Sequence, residues 1–163
     1  ATTVVEIAYQ SAALGFVPSA IVHCSGSAAT QSGLAVGAGR ALPDTRVVGI
    51  DIDAEPERVR ADVVAYAEGA ADLLDLPFDP VCVEVVAGHA GPAYGVAHEA
   101  TIEAIKLAGR LEALALDPVY SGKGLAGMIA LIRAGRWRAG SDLVFIHTGG
   151  TPSLFAYGDS LGL

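Results

Sequence analysis

Two short stretches of this 163-residue sequence place small and hydroxyl-bearing residues directly behind an apolar run. The first is Ser25-Gly26-Ser27-Ala28-Ala29-Thr30, which follows the run Pro18 to Cys24. The second is His147-Thr148-Gly149-Gly150-Thr151-Pro152, which closes the run that starts at Leu143. In the first, small side chains let successive backbone N–H groups face an anion, and the start of a helix adds favourable potential. Ser27 or Thr30 can add a hydroxyl donor, so a phosphate-sized anion is held without Lys or Arg. In the second, Thr151 suits a helix N-cap and Pro152 the first helical position, while the paired glycines admit a flat ligand at close range. Each composition also serves a plain junction: a tight strand-to-helix turn in the first case, an ordinary αβ connection in the second. Two ligand-competent loops at like ends of strands in one domain strengthen the ligand reading of both.

Other chemistries find no support. The first loop lacks the Gly-Lys-Ser/Thr of a P-loop and does not match GxGxxG. No Gly-x-Ser-x-Gly elbow and no Ser-x-x-Lys occurs. His23, His89, His98 and His147 have no metal-ligand spacing, and each reads as structural. Asp51 and Asp53 read as the close of a strand rather than a carboxylate dyad. Cys24 and Cys82 lie in apolar stretches and are expected to be core thiols. The formal net charge of −8, with scattered basic residues, disfavours nucleic acid as a partner. No apolar run approaches the roughly 20 residues that cross a bilayer, and no signal peptide is read at the start. A cytoplasmic location is expected, with neither membrane nor nucleic acid as partner.

The elements that must position these loops follow from hydrophobic periodicity. Helices are predicted at about Thr2–Leu14, Thr30–Leu42, Glu55–Leu74, Val96–Leu116 and Gly122–Ala134. Strands are predicted at Pro18–Cys24, Thr45–Asp51, Val81–Val86 and Leu143–His147, with a short final helix opened by Thr151-Pro152. The third helix is expected to turn Val59, Val63, Tyr66 and Ala70 inward, the fourth Ile102, Ile105, Ala108 and Leu111. Glu99, Glu103, Lys106 and Arg110 then form a solvated stripe. Helices alternating with strands imply an α/β fold, a parallel sheet with right-handed crossovers and helices on both faces. With 52% apolar and 17% charged residues, the chain has ample material for one core. No internal repeat or linker divides it.

Read in order, four segments resemble one family. Ser25-Gly26-Ser27-Ala28-Ala29-Thr30-Gln31-Ser32-Gly33-Leu34 is similar to its phosphate loop and the helix behind it, and Ala93-Tyr94-Gly95-Val96 to its tyrosine-bearing loop. Leu116-Asp117-Pro118-Val119-Tyr120-Ser121-Gly122-Lys123-Gly124-Leu125-Ala126-Gly127 resembles its most diagnostic motif. Phe145-Ile146-His147-Thr148-Gly149-Gly150-Thr151-Pro152-Ser153-Leu154-Phe155 resembles its C-terminal motif. The family is that of the pyridoxal-phosphate-dependent D-cysteine desulfhydrases and 1-aminocyclopropane-1-carboxylate deaminases, with L-cysteate sulfo-lyases among its members. The resemblance spans essentially the whole chain. It departs at Ala29, where Gly is usual, at Gln31, where the desulfhydrases tend to have His, and at Ala97-His98 in place of Pro-Asn.

The resemblance implies the tryptophan-synthase-β-like fold, fold type II, with pyridoxal 5'-phosphate as cofactor and a small amino acid as substrate. Cofactor contacts are then expected from Ser25, Gly26, Ser27, Ala28, Ala29 and Thr30 around the phosphate. Ser121, Thr148 and Gly149 are expected at the ring, with Ser121 and Thr148 near its nitrogen. Tyr94 and Tyr120 are expected to face the substrate. The deaminases carry Glu and Leu where this chain has Ser121 and Thr148, whereas the desulfhydrases carry hydroxyls. The resemblance therefore implies a carbon–sulfur lyase, giving pyruvate, ammonia and sulfide or sulfite. A deaminase and a non-catalytic phosphate-binding module are the alternatives.

Residues 1–163 correspond to the C-terminal part of the family's enzymes, whose Schiff-base lysine lies in a preceding half. Lys106 and Lys123 are the only lysines here, and neither matches it. The chain also opens Ala1-Thr2-Thr3 without Met, as a processed, truncated or partly recovered chain would. By itself it is expected to be inactive, to expose an apolar edge and face, and to associate or dissolve poorly. The full-length form is expected to be a homodimer.

Overall fold

The computed structural model describes residues 1–161. Helix α1 (Thr2–Leu14) stops at Gly15, whose φ of 83° ends the helix in the left-handed region that glycine tolerates. Strand β1 (Ala20–Ser25) is buried on both faces, as a central parallel strand requires. It is followed by α2 (Ala29–Ala41), β2 (Arg46–Asp51), α3 (Pro56–Leu74) and the short β3 (Glu84–Val86). Then come α4 (Glu99–Glu112), α5 (Ser121–Arg133), β4 (Leu143–Phe145), a 3-10 segment (Thr151–Tyr157) and α6 (Gly158–Leu161).

All four strands are parallel, in the order β3-β2-β1-β4. The chain thus runs from β1 outward through β2 to β3, then returns through α4 and α5 to lay β4 on the other side of β1. That reversal makes the crevice beyond the C-terminal ends of β1 and β4 a topological switch point, where open α/β sheets bind ligands. Both loops singled out above emerge there.

Two apolar layers hold the sheet. Ile21 and Val47 meet Val4 of α1 and Leu34 and Ala38 of α2 on one face. Val22, Val48 and Ile50 meet Met128 and Leu131 of α5 on the other. Helix α5 lies unusually close because its sheet-facing positions are glycines. A Cβ on Gly127 would stand 2.6 Å from Ile50, and one on Gly124 would stand 3.0 Å from the Cys24 backbone nitrogen. The Gly- and Ala-rich α2 is similarly intimate with α1, since a Cβ on Gly37 would stand 2.7 Å from the Ala1 carbonyl oxygen.

Several predicted elements are corrected. Val81–Val86 is not one strand: Pro80–Cys82 forms a 3-10 turn because the Asp79 side chain accepts the Val81 N–H at 2.9 Å, and only Glu84–Val86 pairs. Cys82 is consequently exposed rather than a core thiol. Helix α3 buries Val59, Val63, Ala67 and Ala71, a strict four-residue series, and leaves Tyr66 53% exposed. Helix α4 begins at Glu99 because the preceding glycine-rich loop holds His98 extended, and Leu111 faces solvent. Gly150, not Thr151, caps the last segment, because the Thr151 hydroxyl donates instead to the Ala115 carbonyl at 3.1 Å.

Candidate functional site

A cavity of about 510 Å³ opens at the switch point. Cys24, Gly26, Ser27 and Thr30 from the β1 end and Thr148 and Gly150 from the β4 end line it. Tyr94, Tyr120, Ile52, Asp53 and Arg58 complete the wall. A larger hollow of about 820 Å³ lies elsewhere, against α4, and is lined mainly by aliphatic residues together with Glu103, Lys106 and Arg110. The strand-end cavity is where convergent polar groups gather.

The β1 loop is built to leave donors free. Among the described residues, the N–H groups of Gly26, Ser27 and Ala28 have no protein acceptor, whereas that of Ala29 turns back to the Ser27 carbonyl at 2.8 Å. Ala28 holds φ 67° and ψ −31°, a setting alanine seldom takes, and so bends the strand into α2. Gly26 sits tight on Ile52, where a Cβ would be 3.1 Å from Cγ1. Ser25 is buried with its Oγ unpartnered. Ser27, Ala29 and Thr30 are exposed. Unused N–H groups at a helix start, with small walls, fit a phosphate.

The β4 loop is different. Gly149 donates its N–H to His147 Nδ1 at 3.1 Å, and the Ser153 N–H and hydroxyl both donate to the Gly150 carbonyl at 2.9 Å. Thr148 turns its Oγ1 to within 3.0 Å of Cys24 Sγ on the cavity wall. Gly150, rather than Gly149, lines the cavity. A Cβ on Gly150 would stand 2.6 Å from the Asp117 carboxylate.

Asp117 organises the turn beneath. It is fully buried and accepts the N–H groups of Val119, Tyr120 and Ser121 at 2.7–2.9 Å, together with the Ser121 hydroxyl at 2.7 Å. Ser121 is buried with its hydroxyl committed to Asp117, and it is not among the residues that line the cavity. The reason is local: Ser121 opens α5, and its short side chain closes a turn onto Asp117.

The two tyrosines meet. Tyr94, from the loop before α4, and Tyr120, at the start of α5, touch through their hydroxyls with ring centroids 6.1 Å apart and planes at 70°. The hydrogen bond to Tyr120, followed by partial burial, pushes the Tyr94 phenol up to about 12. Burial raises the Cys24 thiol above its ordinary value, partly offset by Thr148. Burial likewise raises the Asp51 carboxyl, beneath the rim.

Arg58, not singled out in the sequence, and Asp53, read there only as the close of a strand, both line the cavity. Arg58 bridges Asp53 at 2.5 Å and Asp62 at 2.9 Å and also pairs with Glu55. The available signal was position alone: Asp53 stands two residues past β2, beside the ligand end of the sheet. Cys24 was legible as buried but not as facing Thr148 across two strands. Neither lysine lines the cavity. Lys106 is exposed on α4, and Lys123 is wholly buried. No group of three or more His, Cys, Asp or Glu suited to a metal occurs among the described residues, and no described helix is long and apolar enough to cross a membrane.

Comparison with known proteins adds the following. A profile of the family described as pyridoxal-phosphate dependent enzyme matches residues 1–149. A 1-aminocyclopropane-1-carboxylate deaminase of Variovorax paradoxus is 43% identical over 154 residues, covering 93% of this chain and 46% of the relative. The deaminases of Ralstonia pickettii and Burkholderia vietnamiensis are 42% and 40% identical and also share 46% of their length. A crystal structure of an ACC deaminase homologue superposes with a TM-score of 0.83 at 32% identity, over 97% of this chain and 48% of that one. The chain spans about half the length of the curated relatives it matches.

Proposed function

Since this chain belongs to the pyridoxal-phosphate-dependent enzyme family and has the fold type II architecture, we propose that it is the phosphate-holding part of a carbon–sulfur lyase. The substrate is a three-carbon amino acid, D-cysteine or L-cysteate, and the products are pyruvate, ammonia and sulfide or sulfite. The residues fit the cofactor on the grounds of the free Gly26, Ser27 and Ala28 N–H groups and the unpartnered Ser25 Oγ. When bound, pyridoxal phosphate supplies an electron sink for bond breaking at Cα, a weaker one when its ring nitrogen meets a neutral hydroxyl.

Each residue then has a defined task. The N–H groups of Gly26, Ser27 and Ala28 would hold the phosphate, with Ser27 and Thr30 beside them. Gly26 keeps the floor low, because no side chain intervenes above Ile52. The Thr148 hydroxyl, on the cavity wall, would supply the neutral partner for the ring nitrogen. Tyr94, whose phenol is pushed up to about 12 chiefly by its hydrogen bond to Tyr120, keeps its proton at neutral pH, and the two hydroxyls together face the amino acid. Ser121 contributes through the Asp117 turn that seats Tyr120.

The Thr148 hydroxyl on the cavity wall carries this reading, because the deaminases resembled in sequence have Leu there. The deaminase is kept as a second reading because the relatives at 40–43% identity bear that name. The test is to supply the full-length protein, loaded with pyridoxal phosphate, with D-cysteine, L-cysteate and 1-aminocyclopropane-1-carboxylate in turn. Release of sulfide or sulfite with pyruvate supports the lyase. A 2-oxo acid and ammonia from the cyclopropane substrate alone supports the deaminase, and turnover of none leaves only the phosphate-binding module. We further propose a cytoplasmic homodimer for the full-length form, which sedimentation of the purified protein tests.

A further inference from the structure

Among the described residues, Lys123 is the largest side chain with no solvent exposure. Its ammonium donates to two carbonyls of one loop, those of Ala90 and Ala93, the latter at 3.2 Å. That loop carries Tyr94, the very next residue, and has little regular structure of its own. Gly88, Gly91 and Gly95 take φ of 91°, 76° and 75°, so its path is one that few side chains would enforce. Among the described residues its other ties include the Val96 N–H to the Ala93 carbonyl at 3.1 Å, the Tyr157 hydroxyl to the Gly95 carbonyl at 2.6 Å and a Thr101–His98 contact of 2.8 Å at the start of α4. Lys123 itself lies in the first turn of α5, three residues after Tyr120.

Burying an ammonium is unfavourable unless its donors are satisfied. Desolvation indeed draws the Lys123 ammonium below its ordinary value, and the carboxylates of Asp53, Asp117 and Asp51 only partly offset this. If packing were all that this position required, an aliphatic side chain would meet it without that penalty. What the aliphatic residue would lack is a pair of donors aimed at the Tyr94 loop.

We infer that Lys123 is a positioning residue that clamps the Ala90–Tyr94 loop to the start of α5 and thereby brings the two tyrosine hydroxyls together. The geometric claim stands on this chain alone; only its consequence for turnover rests on the function proposed above.

The test uses the full-length protein and follows tyrosine Cζ resonances by carbon NMR, with Tyr94→Phe identifying Tyr94. The groups facing Tyr94 are the Tyr120 phenol and the carboxylates of Asp53 and Asp117, with Arg58 on the same wall. Lys123→Met keeps the volume and removes the donors. Released from Tyr120, Tyr94 should titrate near the ordinary tyrosine value of about 10, so that at about pH 10.5 it is mostly ionised where the parent is protonated. The sign is decisive, since loss of a nearby positive charge alone would raise a phenol's value rather than lower it.

In turnover, Lys123→Met and Tyr94→Phe should each lower kcat/KM, and their combination should be no worse than the more damaging single change, as expected of residues acting as one unit. Should Lys123→Met not fold, Lys123→Gln, which keeps one donor group, should show an intermediate titration. An unchanged Tyr94 titration in a folded Lys123 variant overturns the inference, as do additive losses. If no substrate is turned over, the function proposed above fails while the titration still decides the role of Lys123.

Discussion

The loops that leave β1 and β4 are alike in composition and opposite in construction. Both are small, glycine-containing and placed at the ligand end of adjacent parallel strands. The β1 loop withholds three consecutive N–H groups from the protein. The β4 loop engages Gly149, Gly150, Thr151 and Ser153 in bonds to its own backbone, to His147 and to Ala115. An anion site is therefore marked by donors left unused, not by small residues as such. The β4 loop contributes a wall and one hydroxyl instead.

The comparison breaks most severely at Asp117, on which the second loop and the α5 turn depend. Asp117→Ala leaves three N–H groups, two of them buried, without an acceptor and should destabilise the protein by roughly 3–5 kcal/mol, read from urea midpoints. Asp117→Asn, which retains one acceptor oxygen, should lose less than Asp117→Ala.

Acid should strike the first loop from below. His23, buried in β1 two residues before Ser25, is held neutral by desolvation, its value lowered to about 4 despite a bond from its ring to the Cys24 carbonyl. Its unfolded value is about 6.5, so the unfolded chain binds the extra proton first. The stability it confers is present above about pH 6.5 and falls as pH drops toward about 4, by up to about 3 kcal/mol. His23→Asn should flatten that part of the stability–pH curve in urea titrations; an unchanged slope would remove His23 from the account.

A direct contrast between the loops comes from adding one methyl group to each. Gly26→Ala raises the floor against Ile52 and should weaken binding of pyridoxine phosphate, which carries the phosphate but no aldehyde, about tenfold, or 1.4 kcal/mol. Gly149→Ala meets no atom within 4 Å but strains a residue at φ 97°. It should lower stability by about 1 kcal/mol and leave that affinity unchanged. Fluorescence titration of the full-length protein measures both, and equal losses of affinity would erase the distinction drawn here. The smallest effect is expected from Thr148→Val, which removes the contact to Cys24 and should cost about 0.5–1 kcal/mol of thermal stability.

Much of this was legible in local sequence. Continuous apolar runs marked the buried strands, and the small residues after Cys24 marked the β1 loop, because both signals depend on neighbours in the chain. Tyr94 and Tyr120 were legible only through the family they resemble, since 26 residues separate them and nothing in composition brings them together. Gly149 was chosen where Gly150 lines the cavity because two adjacent glycines are indistinguishable until the backbone path is known. The Ser121 hydroxyl likewise has a carboxylate partner four residues back, Asp117, which the motif alone does not reveal.

By itself, then, the sequence determined the order of helices and strands, the parallel sheet and the places where a loop could hold an anion. These depend on periodicity, on turn chemistry and on the handedness of crossovers, all of which act over short stretches of chain. Only the tertiary structure decided which donors remain free, that Arg58 and Asp53 reach the cavity, that Cys24 faces Thr148, and that a lysine is buried beneath the Tyr94 loop. Those facts follow from strand order and from the close seat of a glycine-lined α5 on the sheet. Both juxtapose residues many positions apart, and no local signal records that.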